Sequence, residues 1–166
     1  MNIILIGMRG SGKSSIAKKL SVKLSLPFFD TDRMIEEKVD MTLSDFVTQY
    51  GWGKFRDKES EIIEDLATTT NSIISTGGGV ILRKKNIENL HKNGKFIFLK
   101  TTVETIVQRI EHSHKRPKLT NKKTLQEELT EVWNERKEQY LQNADIIIIT
   151  DNKTREAITE EIIEQL

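Results

Sequence analysis

Between an apolar run at residues 3–6 (IILI) and an amphipathic segment at 14–24 stands the octapeptide Gly7-Met8-Arg9-Gly10-Ser11-Gly12-Lys13-Ser14. Its glycines let successive backbone N–H groups curl around one centre. A helix beginning there aims its positive dipole end at the same point. Such a cradle takes an anion, and the spacing G-x-x-x-x-G-K-[ST] between strand and helix is that of a phosphate-binding loop. No other stretch constrains the fold as much. It requires a strand whose carboxyl end opens on a ligand, followed by a helix that packs back on the sheet. Within it, Lys13 reaches the β- and γ-phosphates of a nucleotide and the Ser14 hydroxyl is a ligand for Mg²⁺.

Further short apolar runs lie at residues 27–29, 72–75, 96–99 and 146–149. They lack polar alternation, as strands covered on both faces do. Helical spacing recurs at residues 42–50, 54–67, 124–141 and 154–166, and Thr101 with Glu104 reads as a capping box ahead of Val103, Ile106, Val107 and Ile110. Strands alternating with helices predict an α/β three-layer sandwich around a parallel sheet of about five strands, of the P-loop NTPase type. A chain of 166 residues fits one such domain, residues 1–166. Residues 112–123 (HSHKRPKLTNKK) break the scheme, being basic and without apolar periodicity. A segment this long is either a lid, spanning about residues 111–123, or a plain surface loop.

The 26 basic and 25 acidic side chains nearly cancel, which gives no reason to expect nucleic acid or an anionic membrane as partner. Without cysteine there are neither disulfides nor thiolate metal sites. No apolar stretch is long enough for a membrane span, and the segment MNIILIGMRG has no basic lead or small-residue cleavage site. A cytoplasmic monomer is expected.

Three features beyond the loop point to chemistry. In Phe28-Phe29-Asp30-Thr31-Asp32 the two acids stand two apart, so in extended chain both face one side. They suit holding magnesium and orienting an attacking hydroxyl; capping the helix that follows is the alternative. Arg56 and Arg136 stand in apolar company, fit to fork onto a carboxylate or, alternatively, to pair on the surface with Glu59 and with Glu131 or Glu135. Gly77, Gly78 and Gly79 close a strand, where three bare residues imply either a ligand lying against the backbone or a turn of positive φ.

Taken in order, GxxxxGKS, DTD, FR, TGGG, RP and R-x-x-x-Y ahead of an A-D-I strand, the chain resembles the shikimate kinases over about residues 2–150. The resemblance implies a nucleoside-monophosphate-kinase-like fold that moves the γ-phosphate of ATP onto the 3-hydroxyl of shikimate. It implies ATP binding by Gly10, Ser11, Gly12, Lys13, Ser14, Ser15, Arg109 (near the adenine) and the lid arginine Arg116. It implies Mg²⁺ held by Ser14 and Asp30, and shikimate held by Asp32, Arg56, Gly78, Gly79 and Arg136. Lys13, Asp32 and Arg116 would be catalytic. The chain departs from the family at Lys137-Glu138-Gln139, where a proline is usual after the arginine, at Lys118, where leucine is common, and at Ser15, usually threonine. His112 and His114 lack acidic partners at ligand spacing and read as lid polarity. Two rivals remain: another small-carboxylate kinase, such as one for gluconate, and a non-catalytic ATP-binding module.

Overall fold

The computed structural model describes residues 1–111 and 124–166. The residues of the expected lid from 112 onward, with His112, His114, Arg116 and Lys118, lie outside them. Five parallel strands, β1 (Asn2–Ile6), β2 (Phe28–Asp30), β3 (Ile73–Ser75), β4 (Gly94–Lys100) and β5 (Ile146–Ile149), form one sheet in the order β2-β3-β1-β4-β5. Helices α1 (Lys13–Leu24), α2 (Thr31–Val39), α3 (Leu43–Leu66), α4 (Lys84–His91), α5 (Val103–Ile110), α6 (Leu125–Asn143) and α7 (Arg155–Glu164) cover it, with a single 3-10 turn at Val80–Leu82. The three-layer α/β sandwich expected from the alternation is present. Among the described residues no helix is long and apolar enough to cross a membrane.

Burial explains the apolar runs. Ile3 and Leu5 of β1 pack with Ile16 and Leu20 of α1 and with Ile158 and Ile162 of α7. Ile4 and Ile6 point the other way, against Phe55 and Ile63 of α3 and Tyr140 of α6. Each such side chain contributes about 1.5–3 kcal/mol on leaving water. Leu5→Ala, at a fully buried site, therefore costs about 2–5 kcal/mol.

The topology places the site. β1 and β3 are neighbours, so the loops leaving their carboxyl ends, Gly7–Gly12 and Gly77–Gly79, lie side by side. Thr76 fastens them, its backbone N–H and its hydroxyl both donating to the Leu5 carbonyl, at 3.2 and 2.8 Å.

Three expectations are corrected. β5 is an edge strand, not a strand covered on both faces: Ile147 and Ile149 are 43% and 54% exposed. The cap of α5 is Thr102, which accepts from the Thr105 N–H, while Thr101 is buried against the Thr150 hydroxyl. The two helical segments expected at 42–50 and 54–67 are both present, joined within α3 across a kink at Gly51, whose φ 82°, ψ 168° is not helical. Helix α4 carries no strong apolar stripe and was not expected; its buried residues include Asn86 and Asn89.

Candidate active site

The phosphate loop needs its glycines. Gly7, Gly10 and Gly12 have φ of 146°, 76° and 98°, conformations that L side chains rarely adopt. A Cβ at Gly10 would also stand 2.8 Å from Ile110 and 2.9 Å from Ile106. Lys13 is buried, and its Nζ donates to the Gly7 and Met8 carbonyls at 2.8 Å each. Ser15 lies beside Ser14 in the first turn of α1. Arg109, at the end of α5, donates to the Ser11 carbonyl at 3.3 Å and to the Thr150 carbonyl at 3.5 Å. It is therefore on the nucleotide-loop side of the sheet.

Ser14 and Asp30 meet. The Ser14 hydroxyl donates to Asp30 Oδ2 at 2.5 Å and lies 3.2 Å from the Ser75 hydroxyl at the end of β3. This small set of hard oxygens at the phosphate loop fits Mg²⁺, which takes few protein ligands and completes its shell with phosphate and water. Among the described residues no group of three His, Cys, Asp or Glu side chains makes an all-protein metal cage. Ser75 was not singled out from sequence, because a serine before TGGG carries no signal of its own.

The two acids converge by a different geometry from the extended alternation expected. Asp30 ends β2 and caps α2, accepting from the Arg33 N–H at 3.3 Å. Asp32 is already in the first turn of that helix. The turn, rather than the pleat, aims Asp32 into a second pocket. Capping falls to Asp30, and Asp32 is not the cap.

That second pocket lies beside the phosphate loop and is lined among others by Arg9, Asp32, Arg56, Gly77, Gly78, Gly79 and Arg136. Arg56 does pair with Glu59, at 2.9 and 2.8 Å, but the pair is no surface pair: Glu59 is fully buried. The guanidinium also sits over Trp52 and Phe55, 5.3 and 5.0 Å from their ring centres. Burial pushes the Glu59 carboxyl above its ordinary range, and the attraction of Arg56 only partly offsets this. Glu59 thus holds Arg56 at the pocket wall. In the sequence it looked like a common i,i+3 partner, and only burial shows its role.

Helix α6 brings the third arginine. Arg136 and Tyr140, four apart and on one face, both donate to the carbonyl of Gly78, Arg136 at 3.4 Å. Full burial pushes the Tyr140 phenol up to about 12. The motif R-x-x-x-Y is therefore a fastening of α6 to the glycine segment, made without the proline that the family usually carries.

Of the two explanations open for the glycines the structure removes one, and it adds another. Positive φ is excluded, since none of the three is among the residues with that conformation. Their own neighbours fill the space a side chain would need. A Cβ at Gly77 would stand 2.7 Å from Asp32 Oδ1 and 2.9 Å from Glu59 Oε1. At Gly78 it would stand 3.1 Å from the Arg9 backbone nitrogen, and at Gly79 it would collide with the Arg56 guanidinium. The segment is bare first so that the pocket's own charged groups can pack against it.

Comparison with known proteins agrees with this arrangement. A family model described as shikimate kinase matches residues 9–166. A shikimate kinase of Lactococcus lactis subsp. lactis is 40% identical over 167 residues, spanning 99% of this chain and 98% of that one. Another, of Dictyoglomus turgidum, is 37% identical over 166 residues, or 99% and 96% of the two chains. The shikimate kinase of Acinetobacter baumannii, solved in complex with shikimate, superposes with a TM-score of 0.94 at 28% identity, covering 99% and 91%. A gluconokinase of Sinorhizobium meliloti, at 17% identity and a TM-score of 0.58 over 98% and 89%, shares the fold alone.

Proposed function

The chain belongs to the shikimate kinase family, and from that premise we propose how its residues carry out the reaction. The protein transfers the γ-phosphoryl group of ATP to the 3-hydroxyl of shikimate. The new bond joins the 3-oxygen to γ-phosphorus; the bond to the β,γ-bridging oxygen breaks, and its electron pair leaves with ADP.

Gly10, Ser11, Gly12, Ser14 and Ser15 cradle the phosphates, and Lys13 exchanges the Gly7 and Met8 carbonyls for phosphate oxygens. Arg109 lies along the nucleotide. Ser14 and Asp30 would hold Mg²⁺, which would supply positive charge against that building on the phosphates. Arg56 and Arg136 grip the substrate carboxylate, with Gly78 and Gly79 as the wall beside it. Asp32 accepts a hydrogen bond from the 3-hydroxyl, orients it for in-line attack and takes its proton. Arg116, which the family resemblance makes the lid arginine, neutralises charge on the transferring group, so its loss lowers turnover more than ATP affinity. The working unit is taken to be a monomer. The need for ATP supports a cytoplasmic location.

The observation that carries this reading is the adjacency of the two loops. It sets a pocket with two arginines and an acid directly beside the phosphate cradle. The test is ADP release by the purified protein with Mg·ATP, with and without shikimate, quinate or gluconate. Release with shikimate alone, abolished in Asp32→Asn, is expected. Release that follows gluconate instead would move the substrate, and ATP binding without stimulated release would leave a binding module.

A further inference from the structure

The mechanism above leaves two buried charged groups unused. Arg9, inside the phosphate loop, pairs with Glu128 in the first turn of α6, Nη2 to Oε1, at 2.5 Å. The side chains are 10% and 3% exposed. Burying opposite charges this thoroughly brings little net stability against an apolar pair of the same shape. The pair is thus a costly way merely to fasten a loop to a helix. Arg9 also lines the acceptor pocket together with Asp32, Arg56 and Arg136.

Its position in that pocket follows from the helix. Glu128 precedes Arg136 by eight residues, roughly 12 Å along α6 at 1.5 Å per residue. Both lie on the buried stripe with Val132 and Tyr140. Arg136 is at the end bonded to Gly78, where the carboxylate of the acceptor is gripped. Arg9 is attached two turns away, at the amino-terminal end of α6. Its backbone belongs to the phosphate cradle while its side chain lines the acceptor pocket, so it joins the two.

We propose that Arg9 is a catalytic residue at the phosphoryl end of the acceptor pocket, meeting the group in transit and the phosphate ester it becomes, and that Glu128 is the residue that positions it. This rests on the kinase reading given above. A contact made during and after transfer lowers kcat when lost, whereas a ground-state contact would raise KM. Glu128, bonded to the guanidinium, fixes where it stands in the pocket lining.

The experiment compares the parent with Arg9→Met, Glu128→Gln and the apolar pair Arg9→Met/Glu128→Leu, the last chosen because an apolar pair restores the stability lost on breaking an ion pair. Steady-state kinetics, thermal midpoints and inhibition by shikimate 3-phosphate are measured. In the apolar pair the midpoint returns to the parent value, while kcat stays about tenfold or more below it, as expected for a lost hydrogen bond to a charged group. KM for shikimate stays within about threefold and inhibition by the phosphate ester weakens about tenfold or more. Glu128→Gln shows the same pattern in milder form. Recovery of kcat along with stability would overturn the proposal and leave the pair a structural tie. A rise in KM for shikimate at unchanged kcat would also overturn it, placing Arg9 among the ground-state binders. If the parent itself releases no ADP with shikimate, the kinase reading fails, an outcome separate from either of these.

Discussion

Gly79→Ala separates the two reasons a residue in the triple-glycine segment could need to be bare. Gly79 has φ −99° and ψ 6°, which alanine adopts without strain. If only a bound substrate needed the space, the ligand-free variant would be as stable as the parent, or gain about 0.4–1 kcal/mol from a less flexible unfolded chain. The structure predicts the opposite sign. The new methyl lands on the Arg56 guanidinium, which is clamped by both oxygens of Glu59 and stacked over Trp52 and Phe55. Arg56 must move, and a fully buried carboxylate then loses the geometry of its partner. Breaking a buried pair costs about 3–5 kcal/mol; since the displaced guanidinium keeps part of its attraction, about 3 kcal/mol is the working figure. For a chain of this size that lowers Tm by about 6–12 °C. The assay is thermal and urea unfolding of the ligand-free protein, run as a cycle with Arg56→Ala. In the Arg56→Ala background the methyl meets no guanidinium, so the added cost of Gly79→Ala falls below about 1 kcal/mol. Parent-like stability of Gly79→Ala alone, or an equal cost in both backgrounds, would refute the packing explanation.

Other outcomes follow from the same geometry. Tyr140→Phe loses the hydroxyl bond to Gly78 and about 1 kcal/mol near neutral pH. Because the folded phenol is raised to about 12 from 10, its contribution is present below pH 10 and is lost as pH rises toward 12. That loss amounts to about 2–3 kcal/mol, more than the hydroxyl contributes near neutral pH, so the parent falls below Tyr140→Phe in stability before pH 12; the gap between them would stay constant if the phenol were not buried. Asp30→Asn keeps a competent cap for α2 but removes the charge beside Ser14, so Tm holds while the Mg²⁺ concentration for half-maximal activity rises about tenfold. Arg136→Met raises KM for shikimate about thirtyfold, equivalent to ~2 kcal/mol, with KM for ATP within about twofold; parallel changes in both would remove Arg136 from the carboxylate grip.

The phosphate loop was legible because everything it needs lies within eight consecutive residues. Arg56, Arg136 and the acids were legible as types in a recognisable order, but their partners were not. Glu59 sits at the spacing of any surface i,i+3 pair, and only the fold, which brings Gly77 against it, takes it out of water. The Arg9–Glu128 contact joins residues 119 apart, a distance over which no local pattern operates. Helix α4 escaped notice because its inward face uses Asn86 and Asn89, and β5 was misjudged because periodicity cannot tell the middle of a sheet from its edge. Asp32 was assigned to the right place for the wrong reason, the strand having already given way to helix at Thr31.

The Gly78 carbonyl takes hydrogen bonds from two side chains of α6, and Gly78 lies against the backbone of the phosphate loop. The floor of the acceptor pocket and the arginine on α6 are thereby a single rigid jaw. Arg56 belongs to the opposing jaw, on a helix interrupted by Gly51 one turn before it. For the design of inhibitors, the distance from floor to Arg136 is set by hydrogen bonds within one block, and the distance to Arg56 by the separate clamp of Glu59.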